Sequence, residues 1–135
     1  LGAEGIWCGS LWLATRESEL IPELKERLFT ARAEDAVQSR SRSGKPVRML
    51  RSKLTEAREA PGAPAFLPMP LQTAAMIESR LRAERARAKD FLTYPVGQIV
   101  GDMHEERSCR QVVYDILAEL VEATERLNGL VGAAA

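Results

Sequence analysis

The stretch Ala3-Glu4-Gly5-Ile6-Trp7-Cys8 constrains this chain more than any other. It is short, mostly apolar and without clean polar alternation, the pattern of a parallel strand covered on both faces. Such a strand needs neighbours, and only one other region, Val37 to Leu50, looks even weakly strand-like. The 135 residues suffice for one modest domain with a core, but the strand's partners are expected to lie outside them. Gly9-Ser10 follows at once. A glycine there lets a ligand approach the backbone, and Ser10 adds a hydroxyl to the amide donors, so the corner reads either as a phosphate cradle or as a simple turn.

The longer string from Gly2 to Thr15, Gly2-Ala3-Glu4-Gly5-Ile6-Trp7-Cys8-Gly9-Ser10 followed by Leu11-Trp12-Leu13-Ala14-Thr15, closely resembles the last barrel strand of the nitronate monooxygenases, formerly called 2-nitropropane dioxygenases. These are FMN enzymes built on a TIM barrel. The resemblance implies an α/β TIM-barrel flavoprotein of which this chain is a C-terminal fragment. The fragment itself is expected to be mostly α, with one parallel barrel strand and a small β-hairpin. In the family this segment ends in Gly-Thr or Gly-Ser, and its amides hold the FMN phosphate, in keeping with the phosphate sites that follow strands seven and eight of such barrels. The cofactor-binding residues implied are Trp7, Cys8, Gly9 and Ser10. Gly9 and Ser10 are the expected direct donors, through amides and the Ser10 hydroxyl.

Composition narrows the partners. Nineteen basic residues balance nineteen acidic ones, so there is no general attraction to nucleic acid or anionic membrane. Cys8 and Cys109 form no CxxC or Cys/His cluster, which argues against a disulfide framework or a zinc site. No apolar run approaches the ~20 residues of a membrane span, and no leader pattern opens the sequence, so a cytoplasmic protein is expected.

Along the chain, Leu20, Leu24 and Leu28 recur four apart and Pro22 suits a first helical turn, predicting a packing helix to Phe29. Val37 to Arg42 and Val47 to Leu50 flank Ser43-Gly44-Lys45-Pro46, the chemistry of a turn between two short strands. The Ser-Arg alternation before the turn is too brief, and too poor in aromatics, to read as an RNA-binding tract. The run Gly44-Lys45-Pro46 to Arg48, Leu50 and Arg51 again resembles the family pattern, with Ser52 where asparagine is frequent. A short helix is expected over Met49 to Ala60, ended by Pro61-Gly62-Ala63-Pro64. Pro70-Leu71-Gln72, another family feature, opens a predicted helix to about Phe91 with Ala74, Ile77, Leu81 and Ala88 on one side and a solvated, mostly basic face opposite. Gly97-Gln98 and Gly101 match a Gly-Gln-x-x-Gly stretch expected to close the domain against the barrel mouth. Ser108 to Gln111 has capping-box spacing, and Val113, Ile116, Leu117, Leu120, Val121, Thr124 and Leu127 form an apolar stripe that Asn128-Gly129 should stop. Burying five such side chains is worth roughly 8–15 kcal/mol before entropy, so this helix is expected to dock, in the family on the barrel. The organisation implied is barrel strand, phosphate loop and helix over 1–34, a smaller substrate-side domain over 35–103, the docking helix over 104–130 and a tail over 131–135.

No catalytic group is expected. His104, the one histidine, lies in the polar run Asp102-Met103-His104-Glu105-Glu106-Arg107 and reads as solvated, and Cys8 reads as an inert thiol. The resemblance implies oxidation of an alkyl nitronate by O2 to a carbonyl product and nitrite, the flavin doing the redox work. Two other readings stand beside it. One is a different FMN barrel enzyme, such as an enoyl-acyl-carrier-protein reductase or a relative of IMP dehydrogenase, which shares the final-strand motif. The other is a non-catalytic helical interaction module in which Gly9-Ser10 only turns the chain.

Overall fold

Pro22 sits at the first position of α1 (Pro22–Thr30), where its missing N–H costs no bond. From there Leu24 and Leu28 enter the core, with Leu20 and Ile21 packed at its edge. The computed structural model describes residues 4–132. Among them four α-helices, α1, α2 (Lys53–Glu59), α3 (Leu71–Arg85) and α4 (Cys109–Gly132), surround one hairpin of β1 (Ala36–Ser39) and β2 (Val47–Leu50). Short 3-10 turns lie at Ser10–Ala14, Ala33–Asp35, Lys89–Phe91 and Gln98–Asp102. The chain is thus mostly helical with a small antiparallel sheet.

The hairpin forms as expected, in register from Ala36 opposite Leu50 to Ser39 opposite Val47. Its free edge is taken by residues 94–96: Leu50 N–H donates to the Tyr94 carbonyl (2.9 Å) and Val96 N–H to that of Arg48 (3.1 Å). The turn is held by Gly44, whose φ of +80° is left-handed. A Cβ there would stand 2.1 Å from the Leu67 carbonyl oxygen, so only glycine fits. Gln72, 1% exposed, locks the same corner. Its Nε2 donates to the Ser41 carbonyl (2.9 Å), and its Oε1 accepts from Leu67 N–H (3.0 Å).

The core joins Ala14, Leu24, Leu28, Ala31, Ala36, Leu50, Leu92, Val96, Val100 and Met103. Two cations staple its rim. Arg27 donates to the carbonyls of Lys89 (2.7 Å), Leu92 (2.6 Å) and Arg51, tying α1 to the segments on either side. Burial among them pulls its guanidinium below the ordinary value, against the opposing pull of Asp90, Asp35 and Glu56. Lys25, buried, donates to the Thr15 carbonyl (2.7 Å) and to Glu106 (3.0 Å).

Several expectations are corrected. The parallel strand expected over Ala3 to Cys8 is not formed: Ala3 lies outside the described residues, and residues 4–9 have no regular secondary structure. Ile6 is 78% and Trp7 100% exposed. A buried parallel strand takes its hydrogen bonds from neighbouring strands, whereas β1 and β2 pair with each other. The helix expected from Met49 starts at Lys53, because Met49 and Leu50 belong to β2 and Ser52 caps α2 by accepting from Thr55 N–H. α3 stops at Arg85, short of Phe91. Arg87 turns left-handed (φ 48°), while Ala88 N–H bonds the Ala83 carbonyl (2.9 Å) and Arg87 N–H that of Glu84 (3.0 Å). That is a Schellman ending built on arginine where glycine is usual. The side expected to be apolar is thinly used, with Ala74 and Ile77 exposed and Leu81 and Ala88 half-buried.

α4 departs furthest. Ser108 caps it, accepting from Gln111 N–H (3.1 Å), but the Gln111 side chain bonds Asp115 (2.7 Å) and does not complete the capping box. Glu17 takes the Cys109 amide (2.9 Å), and Arg107 pairs with Asp115 (2.9 Å). Past its first two turns the helix leaves the body. Val113, Leu117, Leu120, Val121 and Leu127 are all exposed, so the expected docking is not made among the described residues. It also runs through Asn128-Gly129 to Gly132, since one interior glycine costs only about 1 kcal/mol. Among the described residues, no helix is long and apolar enough to cross a membrane.

Candidate functional site

Ser10 opens the Ser10–Ala14 turn with Gly9 as its cap. The first bond of the turn runs from Trp12 N–H to the Gly9 carbonyl (3.3 Å), so the amides of Ser10 and Leu11 precede the intraturn ladder. Downstream the turn is pinned, with Ala14 and Thr15 buried and the Thr15 hydroxyl donating to the Trp12 carbonyl (2.8 Å). Upstream, Trp12 Nε1 donates to the Cys8 carbonyl (2.9 Å), tying residue 8 to the edge of the indole.

The Ser10 hydroxyl makes the contact that defines the site. Its oxygen accepts from Gly97 N–H at 2.9 Å, across 87 positions of sequence, and so joins the Gly9-Ser10 corner to the Gly97-Gln98 stretch. Between them lies an open groove of about 410 Å³, walled by Gly9, Ser10 and Leu13 on one side and by Val47, Arg48 and Tyr94 to Gly97 on the other. Arg48 is the one charged residue among the described residues that line it. One of its guanidinium nitrogens donates to the Ala36 carbonyl (3.1 Å), which fixes the side chain beside the hairpin and leaves its other donors for a ligand. At Gly9 an added Cβ would meet nothing within 4 Å.

Of the four predicted residues, Gly9 and Ser10 line this groove and Trp7 and Cys8 do not. Trp7 is fully exposed, and Cys8 is a half-buried free thiol. Sequence reading missed Arg48 and Tyr94 as groove residues. The signal for Arg48 was a lone charge between the apolar Val47 and Met49 of a predicted strand, the alternation that turns a side chain off the core face. The Gly97-Gln98 stretch does come to the corner, through the Gly97 amide. Gly101 permits the neighbouring close packing, because a Cβ there would stand 2.9 Å from the Ala33 nitrogen. His104 is exposed, with Nδ1 3.5 Å from the Phe29 carbonyl, and is not among the groove residues. No group of three or more His, Cys, Asp or Glu placed to hold a metal occurs among the described residues.

Comparison with known proteins gives this arrangement a family. The chain is 44% identical to the "Putative monooxygenase Rv1533" of Mycobacterium tuberculosis, over 97% of its own length and 36% of that protein's. It superposes on FabK from Thermotoga maritima with a TM-score of 0.66 at 28% identity, covering 90% of this chain and 38% of that one. A mutant FabK gives 0.65 at the same identity, covering 95% and 37%. The chain therefore spans a little over a third of the length of these relatives. The nitronate monooxygenase family model matches residues 1–119, a run that contains the corner, the hairpin and the Gly97 stretch that meet at the groove. The chain belongs to the nitronate monooxygenase family.

Proposed function

We propose that this chain is the C-terminal portion of an FMN-dependent TIM-barrel oxidoreductase that oxidises alkyl nitronates with O2, and that Gly9 and Ser10 contribute to its FMN phosphate site. The observation that carries the reading is the family match through residues 1–119, together with a corner whose chemistry suits an anion. Open space stands where a Gly9 side chain would be. The Ser10 oxygen is held by the Gly97 amide, which leaves its O–H free to donate outward. Arg48 brings positive charge to a groove with no carboxylate among its described lining residues.

In this reading Ser10 and the adjoining amides bind the phosphate, Arg48 offsets its charge, and the Ser10–Gly97 bond fixes the distance between the two walls. Trp7 and Cys8 belong to the strand that places the corner once neighbouring strands pair with it. The bound flavin supplies the electron transfer, and this chain's residues hold its phosphate end in place.

A second reading, an FMN-dependent enoyl-acyl-carrier-protein reductase, is favoured by the structural likeness to FabK. The two are separated by assaying the intact flavoprotein for nitrite release from propyl-1-nitronate under O2 and for NADH-dependent reduction of an enoyl thioester. Nitrite release without enoyl reduction is expected. Enoyl reduction alone transfers the protein to the second reading, and a colourless protein unresponsive to added FMN rejects both.

A further inference from the structure

α4 carries a seam that a single copy of the chain leaves uncovered. Val113, Leu117, Leu120, Thr124, Leu127 and Val131 follow one another at steps of four and three residues, the spacing that keeps one line of a helix turned toward a second helix. All six are exposed, and Val121 and Leu130 widen the stripe. The hydroxyl of Thr124 donates to the Leu120 carbonyl at 2.7 Å, so that residue can be covered without orphaning a donor. Val112 is the buried residue of α4, and it lies about 100° round the helix from Val113. Among the described residues the body therefore holds a different face of α4 from the seam.

The seam is complementary to itself. Turned end for end about the level of Glu122, it sets Val113 opposite Val131, Leu117 opposite Leu127 and Leu120 opposite Thr124, so every seam position meets a seam position. Glu119 and Arg126 lie on one flank with Ala123. In this arrangement each comes nearly level with the other on the second copy, whereas a parallel pair would set Glu119 against Glu119 and Arg126 against Arg126. The area suffices as well. Eight apolar side chains from Val113 to Val131 are 47% to 68% exposed. At roughly 80 Å² each, covering them on two copies removes on the order of 1,200 Å², which reaches the range of stable interfaces. The residues matched by the family model end at Glu119. Leu120 to Val131 lie beyond that match, so packing common to the family does not account for their apolar face.

We propose that α4 pairs with α4 of a second copy of this chain, antiparallel about a two-fold axis level with Glu122, along the seam from Val113 to Val131. The inference stands on α4 alone and does not depend on the flavin reading.

Sedimentation velocity on the intact protein tests it, with a dimer expected at about 10 µM. Leu120→Glu together with Leu127→Glu places carboxylates in the seam at exposed positions and should weaken dimerisation at least about a hundredfold, with the far-ultraviolet circular dichroism of a folded chain retained. Glu119→Arg and Arg126→Glu should each weaken it about threefold, and the two together should restore it. The charge exchange sits on the flank and reads the antiparallel register even if carboxylates in the seam impair folding. An intact protein that stays monomeric at about 100 µM would overturn the proposal. So would a dimer indifferent to the seam carboxylates, or a double exchange no tighter than either single one.

Discussion

Replacing Gln72 by leucine should cost the chain ~2–3 kcal/mol of stability. The side chain is almost wholly buried and makes two bonds, one to the Ser41 carbonyl and one from the Leu67 amide. Ser41 is 2% exposed, so its carbonyl loses the one partner it has among the described residues, at about 1–3 kcal/mol. Leu67 is 44% exposed and its amide can turn to water, so the second loss is smaller, about 0.5–1 kcal/mol. Leucine's apolar surface returns part of this, because the volume is nearly conserved. Urea unfolding followed by far-ultraviolet circular dichroism measures the difference, with an unchanged m-value marking a purely native-state effect. Gln72→Glu should be worse than leucine near neutral pH, since it loses the donor to Ser41 and buries a charge, and should recover as the pH falls and the carboxyl protonates. A leucine variant within about 0.5 kcal/mol of the original would refute the assignment of Gln72 as the lock of the hairpin corner.

Gly44→Ala should destabilise by more than about 1 kcal/mol in the same assay, because it meets both a left-handed φ and the Leu67 carbonyl. Combined with Gln72→Leu the losses should fall short of additive, as both act on one corner; strict additivity would separate them. Glu17, which accepts from Cys109 N–H, is held below the ordinary glutamate value chiefly by that bond. A carboxyl lowered on folding stabilises above its unfolded pKa and loses that contribution as pH falls through its folded pKa. Protection of the amides at the start of α4, taken relative to the intrinsic exchange rate at each pH, should therefore fall below about pH 4, and Glu17→Gln should remove that loss.

The parts of the fold legible in the sequence are those decided locally. Pro22 with the Leu20, Leu24, Leu28 spacing marks α1, and the Ser43 to Pro46 turn marks the hairpin, since turn chemistry and side-chain period need no distant partner. The end of α3 was not legible because an arginine occupies the left-handed position where glycine would have announced it. Nor was Gln72, which looks like one polar residue of an exposed helical turn until Ser41 and Leu67 are brought to it. The opening strand is not formed and α4 does not dock among the described residues, for a common reason. Both are marked by their apolar residues, and both depend on surfaces that the described chain does not supply. At the site, the Gly9-Ser10 corner was readable as a motif. Arg48 and the Gly97 amide join it only through folding of the hairpin and the chain that lies along its edge.

The phosphate role of that corner is tested most directly at Gly9. Its φ is −114° and a Cβ there meets nothing within 4 Å, so Gly9→Val leaves the fold unstrained and fills the space assigned to the phosphate. FMN titration of the intact apoprotein, followed by flavin fluorescence, should show affinity reduced at least about tenfold in the variant, with the melting temperature of the apoprotein unchanged. Equal FMN affinity in the two proteins would contradict the account.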